Sequence, residues 1–280
     1  MEDFYSNNSS QYINYGDRNV TFDFYEKFEF IMNVVTRIII CIGLPLILVA
    51  IYAVYSEVRS DHVAPIYVIN LLISDLIQLC SFIFAEAQPR EWKAVFIHNY
   101  GVAASVCFMV CIALERYLVI AFPLWYRFRR TIKTSVVVCI AIWTAPLVFL
   151  LTFSFWVGDK VLKTVFGIFL LLPLPLLIFF LGGTLKALSS SRVPSDEKRR
   201  IVGVLVLVLL IYTLLFLPRI IWFLVDKYYT FDRLSYMLVQ LSPLADLVLY
   251  VFMRKGTIDK LLASVCCCRM DSNDISSSSV

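Results

Sequence analysis

Residues 94–114 read AVFIHNYGVAASVCFMVCIAL, twenty-one residues without a charge, and Glu115-Arg116-Tyr117 follows at once. A helix needs ~20 largely apolar residues to cross the ~30 Å hydrocarbon core of a bilayer, so this stretch predicts a membrane span. It has company. Residues 38–56, 134–158 and 164–185 are equally free of charge, and 201–217 continues past Arg219 to Val225. Two further stretches carry one acid each: 63–85 with Asp75, and 234–253 with Asp246. Omitting them would leave connections too long and too apolar to be loops. The expected fold class is all-α: a seven-transmembrane helix bundle.

Composition says the same. The 280 residues are 60% hydrophobic and 16% charged, with a mean hydropathy of +0.79. Soluble domains run at roughly 45–50% apolar and about 25% charged. A net charge of +4 is small for this length and gives no support to a nucleic-acid partner. Internal repeats of the kind found in many transporters are not visible.

Lys and Arg set the orientation, because short cytoplasmic loops hold the excess. Arg59, Arg127, Arg129, Arg130, Lys133, Arg192, Lys198, Arg199 and Arg200 fall on one side. Arg90, Lys93, Lys160, Lys163 and Lys227 fall on the other. The first set is predicted cytoplasmic, with the N-terminus outside. No apolar signal-peptide core is seen in the first 28 residues, so the first span is expected to export the tail. Sequons at Asn7, Asn8 and Asn19 agree with a glycosylated outer tail.

The organisation expected is a 1–29 extracellular tail, a 30–255 bundle and a 256–280 cytoplasmic helix with a Ser-rich tail. In the last part, Ile258, Leu261, Leu262 and Val265 at helical spacing predict a short amphipathic eighth helix. Cys266, Cys267 and Cys268 beside it read as palmitoylation sites. No cysteine lies in an external loop, so no extracellular disulfide is expected.

Charges inside a bilayer are costly and therefore point to function. Asp75 and Asp246 are the deepest, and with Ser105 they form a candidate site for a sodium ion or a shared proton. Near the outer ends, Arg37 and Arg233 read as side chains snorkelling to the interface. His98, Asn99, Arg219, Trp222 and Tyr236 are grouped as a ligand cavity leaning toward an anion. Pro146, Pro173, Pro175, Pro218 and Pro243 lie within spans, where each frees a carbonyl and allows a hinge.

Glu115-Arg116-Tyr117 at the inner end of the third span, with Pro123 and Leu124 beyond it, resembles the acid-Arg-Tyr triplet of rhodopsin-like G-protein-coupled receptors. The resemblance extends over all seven spans. Leu71 and Asp75, Trp143, Pro175, the Tyr212, Phe216 and Pro218 set, and Asp246 with Tyr250 are each similar to that family's motifs in the matching span. Asp246, the Phe216-Leu217-Pro218 run and Gly43-Leu44-Pro45 resemble the branch of nucleotide, lysophospholipid, fatty-acid and proton-sensing receptors. The resemblance implies a plasma-membrane receptor that carries a signal from a small anionic, lipid or proton ligand to heterotrimeric G proteins, with Arg116 at the coupling face. It implies no enzymatic activity. Ser276–Ser279 read either as phosphorylation sites for recruiting arrestin or as a disordered serine tail.

The chain departs from the family pattern at four places. Ile47 stands where the family has Asn, Gly183 where it has Tyr, Leu247 where it has Pro, and Glu91 where it has Cys. A weakly coupling or constitutively active receptor fits these losses. A channel or transporter using Asp75 and Asp246 is the reading from another class.

Overall fold

Wherever the sequence runs twenty residues with one charge or none, the computed structural model holds a helix. It describes residues 3–58, 66–88, 91–129, 131–156, 158–189, 195–225 and 229–253. The helices are α1 (Asp3–Val58), α2 (Ile66–Ala87), α3 (Trp92–Ala121), α4 (Pro123–Arg129), α5 (Ile132–Trp156), α6 (Asp159–Leu171), α7 (Pro173–Ser189), α8 (Ser195–Val225), α9 (Tyr229–Gln240) and α10 (Ser242–Met253). Seven stretches are long and apolar enough to cross a membrane: Glu26–Ser56, Ile66–Ala87, Trp92–Ala121, Lys133–Ser154, Lys160–Ser189, Lys198–Val225 and Phe231–Met253. The fifth span is α6 plus α7, and the seventh is α9 plus α10. The described residues are all-helical, a seven-span bundle. The eighth helix, Cys266–Cys268 and Ser276–Ser279 lie outside the described residues, as do the side chains of Asn7, Asn8 and Asn19.

Helix ends differ from those expected. The first membrane-capable stretch begins at Glu26, about three turns before residue 38. Arg37 did not stop it, because its side chain leaves the bundle and pairs with Glu86 at 3.1 Å. Residues 159–163 and 229–232, expected in loops, are the first turns of α6 and α9. Charged residues in a first turn read as loop when only hydropathy is followed.

Proline acts unevenly. The helix runs through Pro45, Pro146 and Pro218. It breaks at Leu172, before Pro173, and at Leu241, two residues before Pro243. Both breaks leave last-turn carbonyls without the usual intrahelical donor. One is reused: the Tyr212 hydroxyl on α8 donates to the Leu170 carbonyl.

Lipid offers no hydrophobic drive between helices, so close packing at small residues holds the bundle. α3 is the central helix, burying Gly101, Ala103, Ala104 and Ser105. A Cβ at Gly101 would stand 2.7 Å from Gln78 Cγ and 3.2 Å from the Ser74 carbonyl oxygen. At Gly167 it would stand 2.8 Å from Phe223 Cβ, which is how closely α6 approaches α8. On α2 the buried set Val68, Leu71, Leu72, Asp75, Leu79 and Phe82 follows the helical period and faces α3. Phe30, Ile38, Val49 and Tyr52 of α1 are exposed on the outer face of the bundle, as a lipid-facing surface requires.

Candidate functional site

The polar residues of the spans gather at three depths. At the middle, Asp75, Gln78, Ser105, Ser242 and Asp246 are all fully buried. Gln78 Nε2 donates to Asp75 Oδ1 at 3.3 Å, and Ser242 Oγ donates to Gln78 Oε1 at 3.2 Å. Ser105 Oγ donates to Asp246 Oδ2 at 3.3 Å. The two carboxyl groups lie within interaction range of each other. Asp75 Oδ2 and Asp246 Oδ1 are buried with no hydrogen-bond partner. Buried carboxylate oxygens are normally satisfied, so this donor set fits a small hard cation, or a proton held between the acids. Gln78 escaped the reading of the sequence. Its signal was its place three residues after Asp75, on the same helical face.

Toward the outer ends lies a cavity of about 490 Å3. Asn99, Arg219, Trp222 and Tyr236 line it, together with Lys163 of α6 and an apolar wall that includes Phe96, Leu150 and Phe166. His98, expected beside them, does not line it. One helical position from Asn99, it turns about 100° away and packs between Phe82 and Tyr236, with ring centroids 5.1 and 5.4 Å distant. It is 3% exposed, and its Nδ1 has no partner.

Arg219 is held from several sides. It pairs with Asp232, also donates to the Asp232 carbonyl at 3.2 Å, and lies 4.3 Å from the Trp222 ring centroid and 4.7 Å from that of Phe223. Arginine over an aromatic face is attracted to the ring's negative quadrupole. Lys163 Nζ stands 5.1 Å from the same Trp222 ring. Lys163 and Asp232 are not legible as site residues from hydropathy, which puts each of them in a loop.

Between these depths, Tyr212 and Phe216 stack on α8 with centroids 5.2 Å apart, one and a half turns and half a turn below Pro218. At the inner end, Tyr126 of α4 donates to Glu115 Oε1 at 2.7 Å. Tyr117 stacks on Phe180 at 5.7 Å and meets Phe179 and Phe122 edge-on. Its ring occupies the space beside Gly183, where a Cβ would fall 2.5 Å from Tyr117 Cε2. Tyr250 is buried, whereas Leu124 is 74% exposed on α4. The basic run Lys198-Arg199-Arg200 is partly structural. Lys198 donates to the Leu188 carbonyl at 2.9 Å and Arg200 to the Met253 carbonyl, so both cap the inner ends of neighbouring helices.

An outer cavity, a polar midplane cluster and an acid-Arg-Tyr triplet thus lie on one bundle of seven apolar helices. The chain matches the rhodopsin family of 7 transmembrane receptors over residues 46–164. It is 27% identical to mouse G-protein coupled receptor 68 over 39% of this chain and 33% of that receptor. It is 30% identical to chicken purinoceptor 3 over 46% of this chain and 43% of that protein. For human purinoceptor 6 the identity is 29%, over 38% and 36%. The matched part thus spans between a third and a half of each relative's length. With its seven apolar helices, the chain is a multi-pass protein of the plasma membrane.

Proposed function

We propose that the chain is a G-protein-coupled receptor whose outer cavity takes a small anionic or lipid ligand and whose sixth span carries the signal inward. The observation that supports this most directly is that one helix, α8, touches every depth. It puts Arg219 and Trp222 at the cavity, Tyr212 and Phe216 in the core, and Lys198 and Arg200 on the inner ends of α7 and α10. Contact with a ligand at Arg219 biases two packings of this helix. In one, the inner caps hold it against its neighbours. In the other it swings out about Pro218, Arg116 is released, and a heterotrimeric G protein docks beside Leu124. Arrestin is a further partner on the same face.

A second reading has its own support in the two partnerless carboxyl oxygens. Asp75, Ser105 and Asp246, assisted by Ser242 and Gln78, would hold a sodium ion or share a proton between the acids, and either would bias the same two packings. His98 is buried behind Tyr236 and adds little to this reading.

The test is G-protein activation across a panel of subtypes in cells, at external ~pH 6 and ~pH 8, for wild type and Arg116→Ala at matched surface expression. Signalling lost in Arg116→Ala supports coupling, and dependence on pH favours the midplane reading. Signalling that survives Arg116→Ala, or a transported current without G proteins, overturns the proposal.

A further inference from the structure

Four outer basic residues each stand beside an acid: Arg37 with Glu86, Arg233 with Glu29, Lys93 with Glu91, and Arg219 with Asp232. Lys163 makes no ion pair among the described residues. Its ammonium rests on Trp222, which also carries the Arg219 guanidinium. Two cations thus share one indole, and the described carboxylate at this end, Asp232, pairs with Arg219. Among the described residues, the polar end of the cavity carries one more positive than negative charge.

The rest of the cavity is apolar: Val95, Phe96, Leu150, Leu162, Phe166 and Phe223. The α5–α6 connection does not cover it. α5 ends at Trp156 and α6 begins at Asp159, so the connection between them is too short to fold across the mouth. Trp92 and Val95 line the cavity while 65% and 61% exposed on the outer face of α3. The opening therefore reaches the lipid-facing flank of the bundle.

We propose that the cavity's ligand is a single-chain amphiphile with one negative charge, its head group bridging Lys163 and Arg219 over Trp222 and its chain lying along the α3, α5 and α6 wall. Asp232 is the built-in competitor for that head group. This deepens the reading of the outer cavity as the ligand site and rests on it. A polyphosphate is disfavoured by the charge balance, since one net positive charge does not neutralise three or four negative ones. An uncharged lipid leaves Lys163 unanswered. The head group is a carboxylate or a phosphodiester, and the chemistry shared by the two is a monoanion on one acyl chain.

The full chain in phosphatidylcholine nanodiscs is tested for saturable binding of tritiated laurate, without G protein. Competitors are oleate, lysophosphatidylglycerol, dodecanol and ATP. Binding that oleate or lysophosphatidylglycerol displaces, and that dodecanol and ATP do not, is the expected result; the stronger of the two names the source of the head group. Lys163→Met is expected to weaken binding about tenfold, with Lys163→Arg restoring it, and Asp232→Asn to tighten it about tenfold. Lys163 is exposed, so its variants separate loss of binding from loss of folding even where Asp232→Asn fails to fold. Displacement by dodecanol, preference for ATP, no saturable binding, or a Lys163→Met variant that binds normally each overturns the proposal. Binding without Arg116-dependent signalling would remove the coupling reading and leave this one standing. Signalling without binding would do the reverse.

Discussion

Gln78 shows how much one buried side chain carries. It receives a hydrogen bond from Ser242 and gives one to Asp75, so it joins the second and seventh spans through a single amide. Replacing it with Ala deprives both neighbours of a partner. Buried groups left unsatisfied cost ~1–3 kcal/mol, and thermal unfolding of purified Gln78→Ala is expected to move down accordingly; an unchanged midpoint would remove the bridge from the account. Gly183 is a second such residue. The ring of Tyr117 fills the space a side chain would take, so Gly183→Ala pushes that ring from its stack on Phe180. Basal signalling of Gly183→Ala is expected to differ from wild type at equal surface expression, and identical basal levels would show the clasp to be inert.

At the scale of elements, the sixth span is tied to its neighbours at its inner end and at its middle. Its inner end is pinned by Lys198 on the Leu188 carbonyl and by Arg200 on that of Met253. A basic side chain on a helix C-terminus is worth about 0.3–1 kcal/mol when exposed and up to ~2 when partly buried. Removing the second pin in Arg200→Ala is expected to raise basal G-protein activation severalfold, read by nucleotide exchange in membranes; a drop to silence with normal expression would mean that Arg200 contacts the G protein instead. Higher on the same helix, Tyr212 donates to the Leu170 carbonyl at the break between α6 and α7. Tyr212→Phe keeps the stack on Phe216 and loses only this bond. Its expected effect is a loss of about 1 kcal/mol of stability and easier movement of α8 against α6, checked by unfolding and by the ligand concentration needed for half-maximal signalling.

For the molecule as a whole, the midplane cluster links ion binding to stability. A cation that binds the folded bundle and not the unfolded chain raises stability as RT ln(1 + [L]/Kd). Wild type is therefore expected to melt higher in sodium chloride than in choline chloride at equal ionic strength, and Asp246→Asn to lose that difference. Equal melting of wild type in both salts would leave the shared proton as the occupant of the cluster.

Hydropathy by itself determined the seven spans, because the cost of an unsatisfied peptide group in lipid leaves a long apolar segment few options but helix. The likeness to the acid-Arg-Tyr family was also legible, since Glu115-Arg116-Tyr117 keeps its place at the end of a span whatever the packing. The pairing of Asp75 with Asp246 was inferable once each acid was seen mid-span, for a buried charge needs company. Tertiary structure decided the rest. Whether position 98 or 99 meets the cavity depends on how α3 is rotated, and neighbouring positions on a helix point about 100° apart. Lys163 and Asp232 looked like loop charges, and only the early starts of α6 and α9 bring them to Trp222 and Arg219. The inner basic run read as a surface for a partner, yet two of its three cations cap carbonyls on helices that the sequence places 10 and 53 residues away. Periodicity and charge act along one segment and can be read there. Rotation, close approach and pairing are set by neighbouring helices, and no single segment records them.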